Sequence, residues 1–235
     1  MHFDKAFIIG LPNHTKKRLD RCFEICEREG VKIKLWNGIY GLDVDIPAYQ
    51  SKGYLSDDFE LKLPGSLGCM LSHITLWESV EKDPDCDIAF ICEDDILLNE
   101  NFLKDLESIP WSDVPEDWDI IKLSYHGLDG ETISDSIIKP SLSTKRGANS
   151  GTFCYLMKAS RAQRLKNILV PYNGKRSMDV LLRESFSKFH PYLTVKILAH
   201  EERYRYSIRK DLNLEGQKGA TLKKMFVKIT KFLFP

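Results

Sequence analysis

The chain has 235 residues, of which 43% are hydrophobic and 29% charged, as in a globular protein with a substantial core. Its length fits one large α/β domain, with or without appendages. Because 34 basic residues balance 34 acidic ones, the net charge gives no reason to expect a nucleic-acid partner, and we expect none. No run approaches the roughly 18 apolar residues of a membrane span, and the first residues lack the features of a signal peptide.

The six cysteines include no CxxC pair. Several lie in apolar runs, where a free thiol behaves as a small hydrophobic group. Cys22 and Cys26 are one helical turn apart, but no neighbouring His or Cys pair completes a zinc set. We therefore expect reduced thiols and a cytoplasmic location.

The chain opens with a βαβ pattern. Its parts are a strand over residues 5–11, a helix over residues 16–29 and a strand over residues 31–36. The crossover of such a unit is expected to be right-handed. A loop that leads from a first strand into a helix is a natural seat for nucleotide phosphates, and Arg18 lies close enough in sequence to approach it.

Residues 40–64 show weak periodicity and are expected to form a long irregular insertion. A helix is predicted over residues 66–82, where apolar residues form a wide stripe. Ser72 and His73 are polar exceptions on this helix. A single histidine on a helix is more often structural than catalytic, so both interpretations of His73 stay open.

The central feature is the stretch of residues 87–96, a short apolar run that ends in Glu93, Asp94 and Asp95. Such a run predicts a strand buried on both faces, with the carboxylates at its carboxyl end, where open α/β sheets bind ligands. Adjacent carboxylates repel one another, and Mg²⁺ or Mn²⁺ would relieve the repulsion. Strand alternation predicts that Glu93 and Asp95 face one side and Asp94 the other. The alternative is a solvated acidic turn.

The remaining elements follow in order: a helix over 99–108, a strand over 118–124, loops with at most a hairpin over 125–149, a strand over 151–157, helices over 159–169 and 177–186, and a strand over 192–198. Asp179 lies near the start of the 177–186 helix, where the macrodipole favours a carboxylate. His200 follows the last strand and is a candidate third metal ligand, although a surface histidine is equally expected.

Residues 218–235 combine five lysines with apolar residues at helical spacing. This pattern predicts a basic amphipathic helix suited to an anionic membrane surface, with docking on the protein's own core as the alternative. We thus divide the chain into a domain over residues 1–210 and a tail over residues 211–235. The tail predicts a peripheral location on the inner face of the cytoplasmic membrane.

Several stretches together resemble one family. They are Phe7-Ile8-Ile9-x-Leu11, Trp36-Asn37-Gly38, Gly68-Cys69-x-Leu71-Ser72-His73-x-x-Leu76-Trp77, Ile91-Cys92-Glu93-Asp94-Asp95, Trp118-Asp119, Gly151-Thr152-x-x-Tyr155-Leu156 and Asp179. In this order they are similar to glycosyltransferase family 25, whose members build bacterial lipooligosaccharide. The similarity covers roughly residues 3–207, and its specific part is the pair of motifs around His73 and Glu93.

The resemblance implies a GT-A-type, single Rossmann-like domain with a mixed, mostly parallel central sheet. It further implies a UDP-sugar donor, usually UDP-galactose, a divalent metal, commonly manganese, and transfer to an oligosaccharide acceptor with inversion. Glu93 and Asp95 match the metal motif, and Asp179 matches the late acidic position of a base, with Asp129 and Glu184 as alternatives. Leu11, Arg18, Asn37, Ser72, His73, Asp94 and Gly151 are assigned to the donor site. The family often has Asn-Leu where this chain has Gly10-Leu11, so contacts to the base at the first loop stay open.

Two other classes remain. A metal-dependent nucleotidyltransferase would also place carboxylates at a strand end, but the sequence has no Walker-type glycine loop. A catalytically inactive glycan- or nucleotide-binding module would keep the fold and lose its metal dependence, and the intact acidic triplet argues against it.

Overall fold

A computed structural model describes residues 3–142 and 147–202. Its helices are α1 (Pro12–Arg28), α2 (Ile46–Ser51), α3 (Pro64–Glu81), α4 (Phe102–Glu107), α5 (Ala162–Leu169) and α6 (Met178–Glu184). Its strands are β1 (Lys5–Gly10), β2 (Lys34–Asn37), β3 (Ile88–Glu93), β4 (Ile96–Leu98), β5 (Ile120–Lys122), β6 (Gly130–Thr132), β7 (Ile137–Pro140), β8 (Cys154–Lys158), β9 (Pro191–Thr194) and β10 (Ala199–Glu201).

Eight of the described strands form one sheet in the order β2-β1-β3-β8-β5-β9-β7-β6. The pairs β1/β2, β1/β3 and β5/β9 are parallel, whereas β8 is antiparallel to both of its neighbours and β7 to both of its own. All strands of this sheet except β7 and β8 therefore run in one direction. The predicted α/β class with a mixed central sheet is confirmed, although four of the seven neighbouring strand pairs in this sheet are antiparallel.

The sheet is covered on both faces because residues of its central strands alternate between two cores. Ile8, Phe90 and Cys92 pack with α1 and α4 on one face. On the other face, Ile91 and Tyr155 pack with α3, α5 and α6. β3 is thus buried on both sides, as its continuous apolar sequence predicts.

The second half of the chain differs in detail from the prediction. The strand expected over residues 192–198 ends at Thr194, since Val195 and Lys196 are turned toward solvent, and the chain then forms β10. β10 pairs with β4 in a separate two-stranded sheet that the sequence did not indicate. The hairpin allowed within residues 125–149 is present as β6 and β7.

No helix in the described ranges is long and apolar enough to cross a membrane. The predicted tail over residues 211–235, including the amphipathic stretch 218–235, lies outside the described residues.

Candidate active site

A cleft of about 190 Å³ opens at the carboxyl ends of β1 and β3. These parallel strands are adjacent, with Ile9 opposite Glu93, so the loop after β1 and the acidic turn after β3 meet at one edge of the sheet. α1 begins directly after β1, and α3 and α6 line the other side. Nine of the predicted site residues border this cleft: Leu11, Arg18, Ser72, His73, Glu93, Asp94, Asp95, Gly151 and Asp179.

The predicted alternation of the three carboxylates is wrong. β3 ends at Glu93, and Asp94 and Asp95 form a tight turn before β4, so strand geometry does not extend to them. As a result, Asp94 does not point away from Asp95. Both contact the guanidinium of Arg18, with Nη2 lying 2.9 Å from Oδ2 of Asp95.

The acidic turn carries more negative charge than Arg18 balances. Burial, and then the charge of Glu93, raise the pKa of Asp95 well above its usual range, and Arg18 opposes the rise. Burial also raises the pKa of Asp94. Oδ1 of Asp95 is buried and has no hydrogen-bond partner among the described residues. Buried, crowded carboxylates with an unsatisfied oxygen are suited to receiving a cation.

The two polar residues of α3 have different surroundings. The Ser72 hydroxyl accepts a hydrogen bond from the Ile39 amide (2.7 Å) and donates to the Gly68 carbonyl (2.6 Å). His73 is fully buried, with Nδ1 2.7 Å from the Tyr155 hydroxyl and Nε2 3.5 Å from Oε1 of Glu93. Ser72 therefore holds the loop after β2 against α3, and His73 faces the acidic turn.

Asp179 lies in the first turn of α6 and accepts a hydrogen bond of 2.5 Å from Ser177. Asp179 interacts electrostatically with Lys122, which is buried and donates to the Asn149 carbonyl (2.8 Å). Burial lowers the pKa of Lys122 to about 8, and the carboxylate of Asp179 opposes this fall. Asp179 is thus a cleft carboxylate with a buried amine nearby.

The two alternatives to Asp179 do not border the cleft. Glu184 forms an ion pair of 3.2 Å with Arg176 and is 42% exposed. Asp129 is held through its backbone by Asn149, in the loop before β6. Of the three candidates, Asp179 is the one that borders the cleft.

Two assigned residues lie outside the cleft. Asn37 is exposed at the end of β2, and the next residue, Gly38, lines the cleft instead. His200 is exposed on β10 and borders a neighbouring cavity of about 150 Å³. Side chains alternate along a strand, so the residue after His200 faces the cleft.

That residue is Glu201, which the sequence analysis passed over. Its charge contributes to the raised pKa of Asp95, and its Oε2 lies 3.3 Å from Nε2 of His126. Cys69, one helical turn before His73, also lines the cleft. Strand alternation along residues 199–201 was the sequence signal for Glu201. The i, i+4 spacing from His73 on α3 was the signal for Cys69.

Comparison with known proteins identifies the class. Residues 3–182 match the sequence model described as "Glycosyltransferase family 25 (LPS biosynthesis protein)". The match covers most of the chain. The chain belongs to glycosyltransferase family 25.

Individual relatives are distant. The chain is 28% identical over 146 residues to "Probable inactive glycosyltransferase 25 family member 3" of Rattus norvegicus (56% of this chain, 24% of the relative). It is 22% identical over 207 residues to "Procollagen galactosyltransferase 2" of Homo sapiens (83% and 32%). The chain thus spans a third or less of the length of these relatives.

Two of the similar solved structures are named as glycosyltransferases. One is the apo form of GlyE from Streptococcus pneumoniae TIGR4, with a TM-score of 0.44, 13% identity, and coverage of 80% of this chain and 44% of that one. Another is the catalytic domain of Drosophila beta1,4galactosyltransferase 7 in complex with xylobiose, with a TM-score of 0.40, 11% identity, and coverage of 89% and 78%. Because these TM-scores and identities are low, the assignment to the family rests on the match to the family's sequence model and not on the structural similarity.

Proposed function

We propose that this glycosyltransferase moves a hexose, galactose from UDP-galactose, onto a lipooligosaccharide or another cell-surface glycan, with inversion at the anomeric carbon. The observation that carries the proposal is the position of Asp179. It borders the same cleft as the acidic turn after β3, although 84 residues separate it from Asp95. A carboxylate across the cleft from a cation-receptive turn suits a displacement at a sugar carbon.

The residues fit a divalent cation. Asp95 offers a buried oxygen without a hydrogen-bond partner in the described part of the chain, and Glu93 and Glu201 add charge nearby. All three are hard oxygen donors of the kind that Mn²⁺ and Mg²⁺ prefer. Glu93 and Asp95 would hold the ion. When bound, the ion neutralises the charge of the diphosphate leaving group.

The chain's own residues supply the remaining roles. Asp179 takes the proton from the acceptor hydroxyl as the oxygen of that hydroxyl attacks the anomeric carbon. The bond from that carbon to the phosphate oxygen breaks, and UDP leaves with the electron pair. Arg18 lies beside the acidic turn, where its charge also favours the phosphates. Leu11 and Gly151 provide walls of the donor pocket.

The test is release of UDP from purified protein given a panel of UDP-sugars, with Mn²⁺ or with EDTA. We expect release from one sugar, abolished by EDTA and by Asp95→Asn. Asp87→Asn is the matched control, because Asp87 is exposed and directly precedes β3, at the end of the strand away from the acidic turn. Release in EDTA, or equal loss in both variants, would contradict the proposal.

A second candidate is a binding module without activity. It is favoured by one observation, the relative of Rattus norvegicus whose name describes it as probably inactive. Such a module would bind a glycan or UDP without depending on metal, and it would release no UDP from any sugar. The same assay, combined with UDP binding, separates the two functions.

We further propose that residues 218–235 bring the enzyme to an anionic membrane surface that carries its acceptor. The support is their composition, with five lysines among apolar residues. The experiment compares liposome binding of the full chain with a chain ending at residue 217. If both chains bind phosphatidylglycerol vesicles equally, residues 218–235 do not bring the enzyme to the membrane.

A further inference from the structure

The side chains of Cys69, His73 and Glu93 all line the cleft and converge there. Cys69 and His73 are four residues apart on α3, so they share one face of the helix, and Glu93 ends β3 opposite them. One ligand atom of each lies within 4.8 Å of the others. A thiol, an imidazole and a carboxylate are thus brought together, and this combination differs from the all-oxygen acidic turn.

His73 is buried with an unsatisfied nitrogen aimed into this cluster. Its exposure is 0%, and its Nε2 has no hydrogen-bond partner among the described residues. Nε2 lies 3.5 Å from Oε1 of Glu93, which is longer than a hydrogen bond. Bonds of about 2.0–2.3 Å to a tetrahedral zinc ion place neighbouring ligand atoms about 3.3–3.8 Å apart. The distance between Nε2 of His73 and Oε1 of Glu93 therefore matches the distance between two ligand atoms of one tetrahedral zinc ion.

The far side of the His73 ring is anchored. Nδ1 lies 2.7 Å from the Tyr155 hydroxyl, and the same oxygen accepts a hydrogen bond of 2.8 Å from Nε1 of Trp77. A phenol oxygen has two lone pairs and can accept from both rings. Histidine ligands are commonly oriented in this way, by a hydrogen bond from the nitrogen that does not bind the metal. Tyr155 therefore holds Nε2 toward Cys69 and Glu93.

We propose that Cys69, His73 and Glu93 bind a borderline-soft divalent cation, Zn²⁺ or its analogue Co²⁺. Sulfur, nitrogen and oxygen donors suit zinc, and the fourth position opens to the cleft. Binding releases the Cys69 thiol proton to solvent as the thiolate coordinates the ion. The site goes beyond the proposed function, since it uses neither Asp95 nor a sugar nucleotide. Because it takes up Glu93, zinc would inhibit any reaction that needs Glu93 for a harder ion.

The test is titration of the full chain, stripped with EDTA, with Co²⁺ alone. Cobalt bound to a thiolate gives a charge-transfer absorption band in the near ultraviolet that oxygen ligands do not give. We expect this band in the wild type, its removal by stoichiometric Zn²⁺, and its loss in Cys69→Ser. Tyr155→Phe should weaken Co²⁺ binding about 10-fold to 100-fold by freeing the ring.

Two controls separate this site from others. Cys86→Ala removes a buried thiol that does not line the cleft, and Asp95→Asn removes a carboxylate of the acidic turn. Both should keep the band, and thermal unfolding checks that each variant is folded. Absence of the band in the wild type, its persistence in Cys69→Ser, or its loss in Asp95→Asn would overturn the proposal. None of these readouts depends on glycosyl transfer.

Discussion

Nη2 of Arg18 lies 2.9 Å from Oδ2 of Asp95, which joins α1 to the acidic turn that follows β3. The same guanidinium contacts Asp94. The Arg18 side chain is 15% exposed, so the contact is largely shielded from solvent. An unpaired charge in such a place would lower the stability of the fold. The ion pair therefore links the first βαβ unit to the cleft by electrostatics as well as packing.

Arg18→Ala should lower the free energy of unfolding by about 3 kcal/mol in EDTA, because it leaves two buried carboxylates without their partner. Added Mn²⁺ should recover part of this loss by replacing the missing positive charge. Arg21→Ala is the matched control on the same helix. Arg21 pairs with Glu202 but is 50% exposed, so we expect a loss below about 1 kcal/mol. Denaturant unfolding measures both, and equal losses would contradict the account.

The sequence predicted the elements around this contact but not the contact itself. The apolar run of residues 88–92 and the βαβ pattern before it depend on local composition, so both were predictable. The direction of Asp94 was not predictable, because alternation assumes a strand that continues to Asp95, whereas β3 ends at Glu93. The turn that follows directs both aspartates toward Arg18 on α1. The pairing of β10 with β4, which brings Glu201 to the cleft, joins segments about 100 residues apart and has no local signal.

Ser72→Ala should cost about 1–2 kcal/mol of stability, because the Ile39 amide loses the acceptor that holds the loop after β2. Thr75→Ala is the control on the same helix, since its hydroxyl donates only to carbonyls of α3 in the hydrogen bonds described. Thermal unfolding compares the two. A Ser72→Ala variant as stable as Thr75→Ala would show that the cross-link contributes little.

Lys122 gives a pH dependence with a defined sign. Its pKa is about 8 when folded, against 10.5 for the free side chain, so between these values the unfolded chain binds more protons. The penalty for burying a charged Lys122 is therefore fully present below pH 8 and is removed as the pH rises toward 10.5. The stability of the wild type relative to Lys122→Met should increase by about 1.4 kcal/mol per pH unit between pH 8 and 10.

Urea unfolding of both proteins across this pH range measures the difference. Lys139→Met, an exposed position on β7, controls for the general effect of replacing lysine with methionine. A difference between wild type and Lys122→Met that stays constant with pH would show that Lys122 does not titrate in this range.

Asp179→Asn should lower kcat about 100-fold to 10,000-fold while leaving UDP affinity near that of the wild type, because the base acts on the acceptor proton. Glu184→Gln changes a carboxylate on the same helix that does not border the cleft, and Asp129→Asn tests the other alternative. Steady-state UDP release measures all three. A kcat for Asp179→Asn close to that of the wild type would show that Asp179 is not the base. A large fall in kcat for Glu184→Gln or Asp129→Asn would assign the base to that residue instead.

The most direct test of the central claim is the affinity of the protein for UDP, measured by calorimetry with and without Mn²⁺. If the acidic turn holds a cation that binds the diphosphate, Mn²⁺ should lower the Kd for UDP at least about 10-fold in the wild type, a coupling of about 1.4 kcal/mol. In Asp95→Asn the ion should have little effect. Absence of UDP binding, or an affinity that Mn²⁺ leaves unchanged in the wild type, would contradict a metal-dependent nucleotide-sugar site in this cleft.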